Sequence, residues 1–113
     1  MIGGMEAIET PVARYLPGEV VIAAVSREFD VSVDEMKGAS RCQWASEPRQ
    51  IAWMLLRKWT RWTVENIGDE FNRDHTTVLY GVRKAQRRVR ETKPLRMMLE
   101  TIEDSLMGVA SNG

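Results

Sequence analysis

Apolar residues recur along this chain at helical spacing, and no useful length of it alternates apolar and polar positions as a half-buried strand does. The pattern therefore predicts an all-α fold. A first helix is expected over 18–29. Its apolar face would consist of Val21, Ala24, Val25 and Phe29.

A short second helix is expected over 33–37, because Ser32 and Glu35 have the spacing of a capping box and Gly38 can end the helix. The polar residues 39–47 are typical of a loop.

A third helix is predicted to start near Pro48, with Ser46 as its cap, and to run to about Trp59. The segment 51–56 is apolar on every side, which is the pattern of a central buried helix.

Two further helices are predicted around a tight turn. The fourth spans 64–71 after the cap Thr63, and Asp74 caps a long fifth helix over 75–91. Asn72 lies at the turn, where it tolerates left-handed backbone geometry. A helix pair of this kind with a basic second helix indicates a helix-turn-helix, whose second helix enters the DNA major groove.

Pro94 is expected to stop the fifth helix, and a last amphipathic helix follows it. Its apolar stripe is either core or the seam of a homodimer, and core is the preferred interpretation. We predict a flexible tail over 1–16, of which Tyr15-Leu16 is the part able to dock, a helix-turn-helix domain over 17–93, and a C-terminal helix with a short tail over 94–113. The stripe consists of Leu95, Met98, Leu99, Ile102 and Leu106.

The 113 residues suit one domain, and 16 basic against 16 acidic residues give a formal net charge of zero. That charge is segregated. Residues 1–40 carry −4, residues 41–93 carry +6 and residues 94–113 carry −2. Half of the positive charge of the middle segment lies within 83–93. The neutral total therefore does not exclude a nucleic-acid partner, and the acidic ends predict a low sequence-independent affinity.

The long basic helix has two predicted faces. Its core face would carry Val78, Val82, Ala85 and Val89. Its opposite face would carry Thr76, Arg83, Arg87 and Arg90, flanked by Thr77, Lys84 and Arg88.

Cationic side chains suit DNA phosphates, and short polar side chains at a helix start suit base edges. Asp74 can accept from a cytosine amino group, His75 can donate or accept, and a threonine methyl can contact the thymine methyl. The plainer interpretation is a solvated basic face with Asp74 as an N-cap only. A cap and a base contact can coexist on one carboxylate.

Two strings give the chain a family resemblance. Ile67-Gly68-Asp69-Glu70-Phe71, followed by RDHTTVL over 73–79 and Arg83-Lys84, closely resembles the signature of the bacterial chromosomal replication initiator DnaA, in its C-terminal DNA-binding domain IV. Pro48-Arg49-Gln50 and residues 29–33 look like earlier elements of that domain. The resemblance covers about 18–93. It implies a compact, Trp-repressor-like helical bundle whose helix-turn-helix binds short duplex initiator boxes.

Carried over by residue, the resemblance implies base contacts by Asp74, His75 and Thr76, with Thr77 and Arg73 joining in base or phosphate contact. Candidate backbone contacts are Arg73, Arg49, Arg83, Lys84, Arg87 and Arg88. Gln43 stands at the family's minor-groove position, with Arg41 as a substitute. The turn at Asn72 is one residue shorter than in the family, and Glu47 replaces a basic residue and would repel phosphate.

No catalytic, metal or cofactor site is predicted. His75 is the only histidine and Cys42 the only cysteine, whereas a zinc site needs several such ligands. No phosphate-loop motif is present, so we expect no ATP hydrolysis. The start of the chain lacks signal-peptide features, no apolar run is long enough for a membrane span, and one cysteine gives no sign of an oxidising compartment. The expected location is the cytoplasm, at the nucleoid, with no membrane partner.

Four tryptophans lie within 44–62. Trp53 and Trp59 are expected in the core. Trp44 and Trp62 lie in or beside loops, where packing is preferred over an exposed stacking or partner surface.

The sequence leaves two functional hypotheses. The first is a DnaA-related, sequence-specific protein that binds double-stranded DNA at initiator boxes and modulates replication initiation or transcription. The second is an interaction module that mimics the initiator and binds the full-length initiator or its regulators. Three features favour the second hypothesis: Gln43 in place of a basic minor-groove residue, the acidic Glu47, and the acidic ends of the chain.

Overall fold

The computed structural model describes residues 15–112, and this part of the chain forms six α-helices and no strand. The predicted all-α fold is therefore confirmed. The predicted tail over 1–14 lies outside the described residues. The helices are α1 (Gly18–Phe29), α2 (Val33–Lys37), α3 (Gln43–Trp59), α4 (Val64–Phe71), α5 (His75–Glu91) and α6 (Lys93–Asn112).

Helix α3 is the centre of the bundle, as its all-round apolar segment predicts. Every residue over 51–56 is buried, and α1, α2, α4 and α5 all pack against this helix. Trp53 and Trp59 are buried as expected, and the Trp53 ring meets Phe71 edge-on with 5.9 Å between ring centroids. The core thus holds α5 against α3 and determines which face of α5 reaches solvent.

The start of α3 corrects the prediction. The helix begins at Gln43, not near Pro48, and Ser46 is not its cap. The backbone N–H groups of Ala45 and Ser46 both donate to the carbonyl of Cys42, at 3.0 and 2.9 Å. Pro48 therefore lies inside the helix, where it lacks the N–H that would donate one turn back. Proline favours a first helical turn, and that preference led the prediction to place the start too late.

The caps predicted for α2 and α4 are present. Ser32 and Glu35 form the reciprocal capping box, with both hydrogen bonds at 3.0 Å. Thr63 forms the same box with Asn66, whose shorter side chain still reaches the Thr63 N–H at 3.1 Å. These caps satisfy backbone donors that the first turn of a helix leaves unpaired.

The tight turn between α4 and α5 depends on two residues. Asn72 adopts the left-handed conformation, with φ of 54°, and ends α4 as predicted. The Arg73 N–H donates to the Gly68 carbonyl at 2.8 Å. A Cβ on Gly68 would lie 2.5 Å from the Arg73 carbonyl oxygen, so only glycine lets the chain turn back this closely.

The apolar stripe of α6 packs inside the molecule, against α1 and α5. Leu95, Leu99, Ile102 and Leu106 are buried, so the preferred core interpretation is confirmed and this stripe is not free to form a homodimer seam. Leu16 is also buried, and its N–H donates to the Trp59 carbonyl at 2.8 Å. Leu16 therefore docks on the core, as the sequence allowed. Between residues 15 and 112, no helix is long and apolar enough to cross a membrane.

Candidate nucleic-acid interface

Helix α5 has the two faces that its sequence predicts. Val78, Val82, Ala85 and Val89 are buried. Gly81 completes this face, because a Cβ there would lie 2.5 Å from the Trp53 ring. The backbone of α5 thus rests directly on an aromatic ring of α3, and the opposite face of the helix is turned to solvent.

The solvent face of α5 is a row of unpaired cations. These cations are Arg83, Lys84, Arg87 and Arg90. Within residues 15–112, none of their side-chain nitrogens lies within 4.0 Å of a carboxylate oxygen. Thr76 and Thr77 are exposed at the start of the same face. A hydroxyl-bearing first turn therefore leads into a free cationic surface, formed by Arg83, Lys84, Arg87 and Arg90, all of which are exposed.

Asp74 serves as the N-cap of α5 and remains open to a ligand. Its Oδ2 accepts from the Thr76 N–H at 3.0 Å, and hydrogen bonds from Thr76 hold the pKa of this carboxyl below its usual value. Its Oδ1 lies 3.9 Å from His75 Nδ1, too far for a hydrogen bond. Both side chains are exposed. The cap therefore keeps an ionised acceptor with lone pairs to spare beside the first turn of the helix.

Arg49 is a correction to the predicted phosphate contacts. This residue is only 4% exposed, and its side chain donates to one backbone carbonyl of α2 and to two of the loop between α2 and α3. Nε donates to Met36 at 2.6 Å, and Nη2 donates to Gly38 at 3.2 Å and to Ser40 at 2.9 Å. Burial and the nearby charge of Arg73 lower the pKa of Arg49. This arginine supports the loop and is not presented to a polyanion.

Arg73 has a similar position but is less buried. Its Nη1 donates to the Phe71 carbonyl and its Nη2 to the Gly38 carbonyl, both at 2.7 Å. Gly38 thus accepts from Arg49 and Arg73 together. The helix-turn-helix turn and the loop between α2 and α3 are joined through this one oxygen, and Arg73 retains other donors for a ligand.

Arg88 differs from the other cations of α5 because it is already paired. Its Nε donates to Glu47 Oε2 at 2.9 Å. Glu47 was expected to repel phosphate as a free carboxylate. The Glu47 carboxylate instead neutralises Arg88, which is one of the predicted phosphate contacts.

An open cleft of about 680 Å³ separates α5 from the loop between α2 and α3. Arg41 remains in that loop and lines the cleft opposite Lys84. Gln43, its alternative as minor-groove contact, is instead the first residue of α3 and lines a smaller adjoining cleft with Arg41 and Lys84. The loop between α2 and α3 and helix α5 therefore face the same side of the molecule. The cleft has five cationic side chains and no acidic one along it: Lys37, Arg41, Arg49, Arg73 and Lys84.

Tyr80 belongs to this surface and was missed in the sequence. Its side chain is 77% exposed and lines the same cleft as Thr77 and Lys84. The signal was present, since helical geometry places Tyr80 about 40° around the helix from Thr76, well within the polar face. Tyr80 was not predicted there because an aromatic residue on a helix is normally assigned to the core.

The two tryptophans predicted in or beside loops differ in burial. Trp62 is half-buried against the core and Gly18, as preferred, whereas Trp44 is 52% exposed and the packing preferred for it is wrong. Cys42 is free and exposed. Over residues 15–112, no group of three histidine, cysteine, aspartate or glutamate residues is placed to hold a metal ion.

Taken together, α4, the tight turn at Asn72 and the exposed cationic face of α5 define a helix-turn-helix DNA-binding domain. A family model described as the bacterial DnaA protein helix-turn-helix matches residues 19–85. The chain belongs to this family, and the resemblance noted in its sequence is confirmed.

Chromosomal replication initiator proteins DnaA are similar to this chain in sequence. The one from Crocosphaera subtropica is 37% identical over 89 residues, which is 78% of this chain and 20% of that protein. The one from a Synechococcus species is 33% identical over 100 residues, 88% of this chain and 21% of the relative. The Streptococcus uberis protein is 34% identical over 99 residues, 87% of this chain and 22% of the relative. The chain thus spans about a fifth of the length of these relatives.

Proposed function

We propose that this chain binds double-stranded DNA sequence-specifically at DnaA initiator boxes, and that it modulates replication initiation or transcription by occupying them. The observation that carries this proposal is the arrangement of α5. An exposed first turn with the string Asp74-His75-Thr76-Thr77 is followed by cations that have no carboxylate partner within the described residues. Such binding would place the protein at the nucleoid.

In this proposal the first turn of α5 reads bases and the rest of the helix fixes register on phosphates. Asp74, His75, Thr76 and Thr77 provide acceptors, donors and methyl groups for base edges in the major groove. Arg83, Lys84 and Arg87 bind phosphates, and Arg73 adds a contact through its remaining donors. The positive end of the α5 dipole favours a phosphate beside the same turn.

The structure changes the predicted set. Arg88 leaves it, because this side chain is already paired with Glu47. Arg49 is removed, because three backbone carbonyls occupy its guanidinium. Arg41 takes the minor-groove role in preference to Gln43, since it is exposed in the loop across the cleft from Lys84. Tyr80 joins the set, with its hydroxyl as a donor toward the DNA backbone.

Fluorescence anisotropy tests the proposal, with one duplex carrying an initiator box and one of scrambled sequence, at two salt concentrations. The box should bind more tightly at both. If Arg73, Arg83, Lys84 and Arg87 each neutralise one phosphate, the slope of log K against log salt should be about −3.6. Equal affinity for the two duplexes would overturn sequence-specific binding.

A second candidate function is supported by Trp44. This side chain is 52% exposed at the start of α3, one turn before Glu47. An exposed tryptophan is a frequent anchor of protein interfaces, so the chain can act as an interaction module that binds the initiator or its regulators. Retention of full-length DnaA on the immobilised chain, lost in Trp44→Ala, together with no binding to either duplex, would favour this function over the first.

A further inference from the structure

We infer that Glu47 is an internal competitor of the DNA backbone. By pairing with Arg88 it withdraws one cation of α5 from phosphate binding, and so lowers the affinity for every duplex without changing base reading. This inference rests on the proposed function and names the residue that sets the sequence-independent part of its affinity.

The pair joins two helices that the core holds in fixed relation. Glu47 lies near the start of α3 and Arg88 in the last turn of α5, 41 residues apart in sequence. The 2.9 Å separation of Nε and Oε2 is that of a charge-assisted hydrogen bond. Since α3 and α5 pack through buried residues, the two side chains meet without ordering any additional backbone.

The surroundings of the pair are those of the proposed interface. The smaller cleft that holds Glu47 and Arg88 also contains Arg41 and Lys84, and among the described residues Glu47 is the only acid along it. A carboxylate presents two oxygens to a guanidinium in the way that a phosphate does. Glu47 therefore occupies the position on Arg88 that a phosphate of a bound duplex would take.

The exposure of the pair makes the competition reversible. The Glu47 side chain is 21% exposed and that of Arg88 is 36% exposed, so solvent and ligands reach both. Exposed ion pairs contribute little to folding stability, and one can open without unfolding the domain. The cost of opening this pair falls on DNA binding, because Arg88 must leave a carboxylate before it gains a phosphate.

The expected size follows from counterion release. One additional neutralised phosphate steepens the slope of log K against log salt by about 0.9. Removal of the Glu47 charge should thus tighten binding by about eightfold at 0.1 M salt and by about twofold at 0.5 M. The increase should be equal for the box and the scrambled duplex.

The experiment is an anisotropy titration of the full chain and four variants against both duplexes. The variants are Glu47→Gln, Arg88→Gln, the double variant and the control Glu103→Gln. Glu103 pairs with Lys58 at 2.7 Å, so its substitution makes the same change in net charge at the other end of α3. Lys58 lies about 17 Å along the helix from Glu47, beyond the Debye length of about 10 Å at 0.1 M salt. Thermal unfolding followed by circular dichroism checks that each variant is folded.

The expected results form a double-mutant cycle. Glu47→Gln tightens binding to both duplexes and steepens the salt slope, whereas Glu103→Gln changes affinity less than twofold. Arg88→Gln alone should weaken binding to both duplexes, because it leaves the Glu47 carboxylate unpaired beside the phosphates. In the Glu47→Gln background the same substitution restores the wild-type affinity and slope.

Two results would overturn the inference. One is a Glu47→Gln variant that binds no more tightly than Glu103→Gln. The other is a double variant whose salt slope is shallower than that of the wild type by about 0.9, since Arg88 would then already be bound to phosphate in the wild-type complex. Failure of the proposed function looks different, because neither the wild type nor any variant would then bind either duplex.

Discussion

Two pairs of arginines near the same helix-turn-helix have different surroundings: one pair binds backbone carbonyls and the other is exposed to solvent. Arg49 and Arg73 donate to backbone carbonyls at the end of α2, in the loop that follows it and at the end of α4. Arg83 and Arg87 extend from α5 with no carboxylate partner among the described residues. The residue type and the local charge are the same in both pairs. What differs is whether unpaired carbonyls surround the side chain.

The backbone explains that difference. Residues 38–42 are irregular, so the Gly38 and Ser40 carbonyls have no helical partner and need other donors. The guanidinium of Arg49, which presents several donors in one plane, supplies them from inside the domain. The carbonyls of α5 are already paired within the helix, so the cations on its outer face have only solvent or a ligand to bind.

The largest expected effect tests the structural arginine. Arg49→Ala should lower the free energy of unfolding by about 2–4 kcal/mol, because it leaves buried carbonyls without donors. Urea unfolding followed by circular dichroism measures it. Arg49→Lys should recover little, since an ammonium cannot reach three carbonyls in one plane. Stability equal to that of Arg87→Ala, which should stay within about 0.5 kcal/mol of wild type, would remove the distinction between the two pairs.

The next effect concerns base reading at the start of α5. His75→Ala or Thr76→Ala should weaken binding to the initiator box by about 1–3 kcal/mol and leave the scrambled duplex unaffected. Anisotropy titrations of both duplexes measure the difference. Parallel losses on the two duplexes would assign these residues to the phosphates instead.

A smaller and sequence-independent effect is expected for the free arginines. Arg87→Ala should weaken binding to both duplexes by about eightfold at 0.1 M salt and reduce the salt slope by about 0.9. Titrations over a salt series measure both quantities. An unchanged slope would show that this side chain does not contact a phosphate.

Tyr80→Phe should have a weaker effect still, because it removes one neutral hydroxyl donor. We expect binding to both duplexes to weaken by about two- to fivefold, with no change in stability. Tyr80→Ala is the companion variant, and a loss much larger than that of Tyr80→Phe would assign the contact to the ring. Wild-type affinity in both variants would exclude Tyr80 from the interface.

The smallest effect is on pH dependence. The pKa of Asp74 is lowered in the folded state, so its charged cap stabilises the fold above the unfolded pKa of about 3.9. That contribution is lost as the pH falls through the lower folded pKa. The difference in melting temperature between wild type and Asp74→Ala should therefore be constant from pH 8 to pH 5 and shrink below about pH 4. A difference that already declines between pH 7 and pH 5 would contradict this assignment.

Local periodicity was enough to predict much of the fold and the orientation of the candidate site. The two faces of α5, the caps at Ser32, Thr63 and Asp74, and the turn at Asn72 all depend on residues within a few positions of one another. The early start of α3 was missed because the preference of Pro48 for a first turn outweighed a weaker polar segment before it.

The pairings that decide which cations are free could not be predicted. Arg49 reaches carbonyls 9 to 13 residues away, and Glu47 meets Arg88 41 residues away. Such contacts arise from the packing of α3 on α2 and α5, which no spacing in the sequence records. The string from Arg73 to Thr77 pointed to the site, and the tertiary contacts decided which of its neighbours can serve it.

The shared Gly38 carbonyl has a mechanical consequence. It ties the loop that carries Arg41 to the turn that precedes Asp74, through hydrogen bonds from Arg49 and Arg73. One element cannot shift without breaking charge-assisted hydrogen bonds to the other. On the proposed function, the fixed distance between the Arg41 loop and the start of α5 therefore selects duplexes by the spacing of their grooves, in addition to the base contacts of α5. A duplex whose grooves already match that spacing binds at little cost in deformation, and a stiffer or wider one is rejected at base pairs that no side chain touches.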